Sequence, residues 1–242
     1  MPDEPPRFER PFPVPAAEPV ALSASSVDAF LAFAGRSGSA QRERVREMIA
    51  AARRERGVVD GLFERFERDR DADFGAALLT LSVIGELRSP DALDRLERLV
   101  WEELPEVGEI GHGSLGRRDL VEMFQSKAAE AIAYMATEES DARVLRVIRE
   151  HQSAAVRSAA VDAFLFNHGD SEQARRQVSE VLRQEDAAFV DRVRHARSMG
   201  REDFNAGLTR FYALHREEVA PEPGRPLRRE ARPTSPPRRE GR

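Results

Sequence analysis

The sequence predicts an all-α protein built from stacked helical hairpins. Apolar residues recur at helical spacing, the arrangement returns about every thirty-one residues, and no segment alternates as a strand does. The composition agrees, because 40% of the residues are hydrophobic but only 7% are aromatic. Alanine and leucine dominate the apolar set, and both lose little entropy in a helix.

Proline divides the chain into three parts. Seven of the fifteen prolines lie within residues 1–20 and six lie within 221–237, which leaves only Pro90 and Pro105 between them. Proline lacks a backbone donor and clashes inside a helix. We therefore predict a disordered proline-rich segment at 1–20, a folded body at 21–218 and a disordered Pro/Arg-rich tail at 219–242.

The first helix of each predicted hairpin carries three apolar columns at i, i+4 and i+7, which form one helical face. The columns are Val45, Ala77, Ala128, Ala159, Phe189; Ile49, Leu81, Ile132, Ala163, Val193; and Ala52, Ile84, Met135, Phe166, Ala196. Their successive offsets are 32, 51, 31 and 30 residues. The second helices carry a matching column of Phe66, Leu96, Val147, Val178 and Leu208. One hairpin cannot bury its apolar face alone, so five stacked hairpins are predicted, with a short capping helix at 26–34.

Polar residues mark where the helices of this repeat begin. Ser89-Pro90 matches an N-cap followed by proline at the first helical position. Ser140-Asp141 and Asp170-Ser171-Glu172 likewise place a residue suited to an N-cap before an acidic residue. Acidic side chains in the first turn interact favourably with the helix dipole. These positions predict the starts of three second helices.

The pattern resembles the HEAT-repeat family, including the bacterial phycobilin-lyase-type repeats. The resemblance is carried by IGELRSPDALDRLERLV at 84–100 and VRSAAVDAFLFN at 156–167, and it covers about residues 40–215. It implies a right-handed α-α superhelix of about five hairpins with an N-terminal capping helix. It also implies a protein-binding scaffold, since the repeat carries no catalytic residues. Tetratricopeptide repeats are the rival, but their Trp, Gly, Tyr and Pro positions are not matched.

One interval in the repeat is about twenty residues too long, and the excess lies at 103–119. Insertions of this kind often carry the binding function of repeat proteins. This one follows Trp101, the only tryptophan, and contains Gly-His112-Gly-Ser-Leu-Gly followed by Arg117 and Arg118. The glycine spacing matches a dinucleotide fingerprint, but no strand precedes it. An anion contact at the helix start and a plain loop both remain open.

Arginines recur on the predicted second helices beside the apolar stripe. One column contains Arg65, Arg95 and Arg146, and the neighbouring column contains Arg68, Arg98, Arg149 and Arg210. In HEAT-type solenoids second helices line the concave face, so these residues form a candidate basic stripe for phosphates or an acidic protein. Carboxylates interleave with the arginines, and Glu64–Arg68 and Asp94–Arg98 are expected to pair at i, i+4. A carboxylate on each arginine would remove the stripe.

The remaining residues favour binding over catalysis. There is no cysteine, no two of the five histidines are spaced as a helical metal motif, and no nucleophile has a credible base beside it. We expect His151 to pack in a repeat position that Val100 and Leu182 also occupy, and His168 to end a helix before Gly169. No cofactor, metal or membrane span is predicted, and the expected protein is cytoplasmic and monomeric.

The favoured function is a non-catalytic module that binds a protein or peptide. The alternative is a solenoid that binds nucleic acid or another anion through the arginine columns and the tail, whose residues 219–242 carry a net charge of +4. An enzyme related to the HEAT-like glycosylases or to lyase subunits is the least favoured.

Overall fold

The computed structural model describes residues 18–38, 41–106, 115–187 and 189–190. These residues form nine α-helices and no β-strand, which confirms the all-α prediction. The helices are α1 Val27–Arg36, α2 Arg42–Ala52, α3 Val58–Asp69, α4 Phe74–Leu87, α5 Leu93–Val100, α6 Arg117–Ala133, α7 Glu138–Glu150, α8 Ala154–Asn167 and α9 Glu172–Val181. Short 3-10 turns lie at Pro90–Ala92 and Gln184–Asp186. No helix in these ranges is long and apolar enough to cross a membrane.

Side-chain caps begin several of these helices. Ser171 accepts a hydrogen bond from the amide of Ala174 and starts α9 as expected. The predicted start at Ser140 is wrong by one turn. Thr137 caps α7, and its hydroxyl accepts from the Ser140 amide while the Ser140 hydroxyl accepts from the Thr137 amide. Ser140 is thus the second half of a reciprocal cap, so an N-cap residue type alone misplaced the helix start.

The contacts between helices follow a regular order along the chain. The first helices α2, α4, α6 and α8 pack successively, as do the second helices α5, α7 and α9. Each second helix also packs on the next first helix, in the pairs α3–α4, α5–α6 and α7–α8. The helix α1 lies against α3 and α4. One continuous hydrophobic core runs through these layers from Leu22 to Phe189.

The helices α4 and α6 approach each other closely at Gly85. A Cβ atom added at Gly85 would lie 3.1 Å from the Cβ of Ala131 and 3.2 Å from its Cα. Gly85 and Ala131 are both buried, so a larger side chain at either position would have no solvent-filled space to occupy. Small residues on both sides therefore set the spacing between these two layers.

Most of the predicted apolar columns are in the core, but the register assigned to α8 is wrong. Phe166, expected on the buried face, is 67% exposed. The fully buried residues of α8 include Ala160 and Phe164, which lie 32 residues after their α6 counterparts Ala128 and Ile132 rather than 31. Because α8 is apolar on most sides, its periodicity could not decide how the helix is rotated.

Candidate interaction surface

The arginines of the predicted basic stripe lie on α3, α5 and α7, where carboxylates from neighbouring layers hold them. Arg65 donates hydrogen bonds to Asp69 on its own helix and, at 3.0 Å, to Asp28 of α1. Arg68 donates to the same Asp28 at 2.7 Å. Arg95 of α5 lies 2.9 Å from Asp60 of α3.

The same arrangement continues on α7. Arg146 bonds Glu97 of α5 at 3.5 Å and Glu150 at 3.0 Å, and Arg149 bonds Glu150 at 2.5 Å. Arg143 joins three carboxylates, those of Asp94 at 2.8 Å and of Glu97 and Glu139 at 2.6 Å.

These contacts correct the expected pairing within helices. Arg68 pairs with Asp28 instead of Glu64, and Asp94 pairs with Arg143 instead of Arg98. The acidic partners of Arg65, Arg68, Arg95 and Arg143 include residues near the starts of α1, α3 and α5, so these ion pairs link one helix layer to the next. Most arginines of the two columns therefore join neighbouring layers, whereas the described partner of Arg149 is Glu150 on its own helix.

The local electrostatics agree with this description. Hydrogen bonds from Arg65, and also from Arg68, hold the pKa of the Asp28 carboxyl below its ordinary value despite an opposing contribution from burial. Exposed pairs of this kind contribute about 0–1 kcal/mol each.

The other candidate residues fall into three groups. Arg98 is exposed and has no ion pair within the described part of the chain. Arg117 and Arg118 open α6, where Arg117 lies 3.9 Å from Asp71 and Arg118 bonds Glu122 at 3.2 Å. His112 and Arg210 lie outside the described residues.

The start of α6 was the expected anion contact. The Gly116 amide donates to the side chain of Asp119 at 3.0 Å. Asp119 thus places a carboxylate of this chain on that amide, as anions favour at helix N-termini. Residues 107–114, which hold most of the glycine motif, lie outside the described residues.

A groove of about 770 Å³ lies between α3 and α5. Its lining consists of Phe63, Glu64, Phe66, Glu67, Arg95, Arg98, Leu99 and Glu102. Phe63 and Leu99, which are 6% and 4% exposed, form the floor above the fully buried Phe66, and charged side chains form the walls. The guanidinium carbon of Arg95 lies 5.2 Å from the centre of the Phe63 ring. Glu64 on the α3 side and Arg98 on the α5 side are both exposed and without an ion pair among the described residues. The groove thus combines an apolar floor with one free charge of each sign.

One end of the groove is closed by a strong ion pair. Arg70 bonds both carboxylate oxygens of Glu102, at 3.0 and 2.5 Å, and its guanidinium lies 5.4 Å from the centre of the Phe66 ring. The hydrogen bonds that Arg70 donates to Glu102 raise the pKa of Arg70 above its ordinary value. The amide nitrogen of the buried Gln125 also donates to the Glu102 carbonyl at 2.8 Å, so this end is rigidly held.

Beside this end, Trp101 packs within the fold. Its ring centre lies 5.4 Å from that of His151 and 5.0 Å from the guanidinium carbon of Arg146. His151 is buried, as its repeat position predicts, and its Nε2 lies 3.1 Å from the Val100 carbonyl while its Nδ1 accepts from the Ser153 amide at 3.1 Å. These partners suit a neutral ring with its proton on Nε2.

The largest feature that sequence reasoning missed is a buried ion pair. Arg157 of α8 and Asp186 are both fully buried, and Nε and Nη2 of Arg157 donate to the two carboxylate oxygens at 2.6 and 3.1 Å. The Arg157 Nη1 also donates to the carbonyls of His151 and Gln152, each at 2.8 Å. This cluster ties the turn after α9 to the start of α8. An arginine inside the apolar pattern 154–165 was the available signal.

His151 is expected to make stability depend on pH. Burial, together with the charges of Arg157 and Arg183, holds the pKa of His151 below its ordinary value, although its hydrogen bond to the Val100 carbonyl acts the other way. The unfolded histidine titrates near pH 6.5 and binds the proton more readily. The stabilisation is therefore complete above about pH 6.5 and is lost as the pH falls through the lower pKa of the folded state.

We expect the free energy of unfolding of the wild type to fall between pH 7 and pH 5, and that of His151→Leu to change less. Urea titrations followed by Trp101 fluorescence measure this, because the two rings are in contact. Equal pH slopes in the two proteins would contradict the assignment. The substitution should also lower stability at pH 7, because it leaves the Ser153 amide and the Val100 carbonyl without their partner.

The other histidine among the described residues, His168, directly follows the last residue of α8 and ends that helix as predicted. Its Nε2 lies 3.1 Å from Asp141, and its ring centre lies 4.4 Å from that of Phe164. Across the described ranges, no three His, Asp or Glu side chains come together as a metal site.

In comparisons with protein-family models, curated proteins and solved structures, no significant match to the chain was found.

Proposed function

We propose that the chain is a HEAT-type α-solenoid that binds a protein or peptide without catalysis, and that the α3–α5 groove is its binding site. The succession of first helices against first helices, and of second helices against second helices, supports the solenoid part. About five hairpins would follow if the unit continues through the predicted helices after Phe189.

The groove is the observation that carries the binding part. Hydrophobic side chains of a peptide gain most where they meet an apolar floor, while charged walls orient the peptide. The lining provides two phenylalanines and a leucine below, with an unpaired Glu64 and an unpaired Arg98 at the sides. We therefore expect a ligand with one large apolar side chain flanked by a basic and an acidic residue.

Nucleic-acid binding remains the alternative proposal, and the ion pairs weigh against it. A phosphate ligand would have to compete with Asp28, Asp60, Glu97 and Glu150 for the arginines of the stripe. Only Arg98 is exposed and unpaired among the described members. A phosphate-binding surface would need several free cations acting together.

Selection of peptides on the full-length protein tests the proposal. We expect selected peptides to carry an aromatic or aliphatic anchor between opposite charges, and to bind Glu64→Arg and Arg98→Glu about tenfold more weakly than wild type. Arg46→Glu is the matched control, since Arg46 is exposed on α2 and pairs only loosely with Glu43 at 3.7 Å.

Duplex DNA provides the second arm of the experiment. Phosphate contacts are strongest at low salt, so a nucleic-acid binder should bind duplex DNA there and lose affinity steeply as salt is added. We expect no DNA binding at low salt. DNA binding that Arg98→Glu weakens would replace the peptide proposal by the alternative, and peptides insensitive to both groove variants would place the site elsewhere.

A further inference from the structure

We propose that the α3–α5 groove binds the chain's own N-terminal segment, with Phe8 on the groove floor, Arg7 against Glu64 and Glu9 against Arg98. The inference rests on the groove assigned above to peptide binding and names a ligand for it. The bound sequence is Arg-Phe-Glu-Arg at 7–10.

Charge complementarity selects this segment. The groove has a free carboxylate on the α3 wall and a free guanidinium on the α5 wall, with Phe63, Phe66 and Leu99 between them. Phe8 is the one phenylalanine in residues 1–17 with a basic residue directly before it and an acidic residue directly after it. Phe12 lies between two prolines, so it brings no charge to either wall. The apolar floor of the groove can therefore receive Phe8. The carboxylate of Glu64 is complementary to Arg7, and the guanidinium of Arg98 is complementary to Glu9.

The chain also enters the body at the correct place. Ala24 lies against Gly57 and Val27 against Gly61, so the residues before α1 run beside the first half of α3. From Gly61 to Phe66 the helix rises by about 7.5 Å. The chain from Phe8 to Ala24 reaches about 50 Å in a polyproline conformation, so length does not limit the contact.

The tether makes a small site sufficient. The groove is lined by little more than one turn of α3 and one turn of α5, which is room for one anchoring side chain and its neighbours. A free peptide of this size would bind weakly. A covalently attached segment acts at an effective concentration in the millimolar range, and its prolines reduce the conformational freedom that is lost on binding.

Because the chain has no cysteine, one introduced thiol can carry a spin label on the full-length protein. We would label Pro5→Cys and record the paramagnetic broadening of backbone amides. In the otherwise wild-type chain, amides of residues 63–67 and 95–102 are expected to broaden. Phe8→Ala and Glu64→Arg should each reduce the docked population about tenfold, while Phe12→Ala, the matched control, should leave it unchanged.

The decisive variant reverses the charge pair. Adding Arg7→Glu to Glu64→Arg is expected to restore the broadening. Absence of broadening at the groove overturns the inference, as does broadening that Phe8→Ala does not change. A further control mixes isotope-enriched chains that carry no spin label with spin-labelled chains that are not enriched. Broadening in this mixture would show that the segment contacts a second copy of the chain, and it would also overturn the inference. The peptide selection above decides the proposed function independently when it is repeated on Phe8→Ala, because this variant leaves the groove open to ligands in trans.

Discussion

Replacing Asp186 by alanine is expected to destabilise the protein by about 3–5 kcal/mol, because it removes a carboxylate that pairs with the buried guanidinium of Arg157. Both side chains are 0% exposed, and two hydrogen bonds of 2.6 and 3.1 Å join them. The carbonyls of His151 and Gln152 would still accept from Arg157 but carry no full charge to replace the carboxylate. The cost therefore includes the desolvation of a buried charge that has lost a carboxylate partner, and not only the loss of one contact.

Urea unfolding followed both by circular dichroism and by Trp101 fluorescence measures this loss, and agreement of the two probes supports a two-state treatment. The exposed pair Glu43–Arg46, at 3.7 Å, supplies the control, since Glu43→Ala should change stability by less than about 0.5 kcal/mol. The double variant Arg157→Met with Asp186→Leu should recover much of the loss, because it removes both charges. A loss in Asp186→Ala no larger than in Glu43→Ala would contradict the prediction.

Replacing Gly85 by leucine is expected to cost about 3 kcal/mol or more, at the upper end of the range for overpacking a core. Even the first added carbon would lie 3.1 Å from the Cβ and 3.2 Å from the Cα of Ala131, so backbone on α6 would have to move. A leucine adds three further carbons in the same direction. The expected consequence is separation of the α4 and α6 layers, which the core that spans them opposes.

Gly75 on the same helix is the matched control for Gly85. A Cβ there meets only the Oδ1 of Asp73, at 3.5 Å, which is ordinary contact. Gly75→Ala should therefore stabilise by about 0.5–1 kcal/mol through helix propensity. Thermal and urea unfolding of both variants give the comparison, and a Gly85→Leu protein as stable as wild type would show that the layers adjust without cost.

Much of the helical architecture was predictable because it depends on local periodicity. The spacing of Ile49, Leu81 and Ile132 places them on one face of their helices, and all three are buried. The second-helix column of Phe66, Leu96, Val147 and Val178 is buried as well. Such patterns work where a helix has a clear polar side. They fail on α8, where Phe166 and Phe164 were equally plausible core residues and only the neighbouring helices decided between them.

The candidate surface was predictable in its composition but not in its chemistry. The arginines Arg65, Arg95 and Arg146 are regularly spaced in the chain, as a phosphate-binding stripe would require. Whether a guanidinium is free depends on carboxylates tens of residues away, such as Asp28 for Arg65 and Glu97 for Arg146. Helical spacing predicts partners at i, i+4, such as Glu150 for Arg146, but it does not predict the partners that lie one layer away.

The sequence by itself determined that the described part of this protein is all-α, where most of its helices lie, and that one column of apolar residues on the second helices is buried. These properties follow from backbone propensity and from the position of apolar residues within a few turns of one helix. Only the tertiary structure decided that most arginines of the two columns are ion-paired, that Arg157 and Asp186 meet in the core, and that a groove opens between α3 and α5. Each of these depends on the distance between side chains remote in sequence, which is set by how neighbouring layers pack and not by the local pattern of either helix.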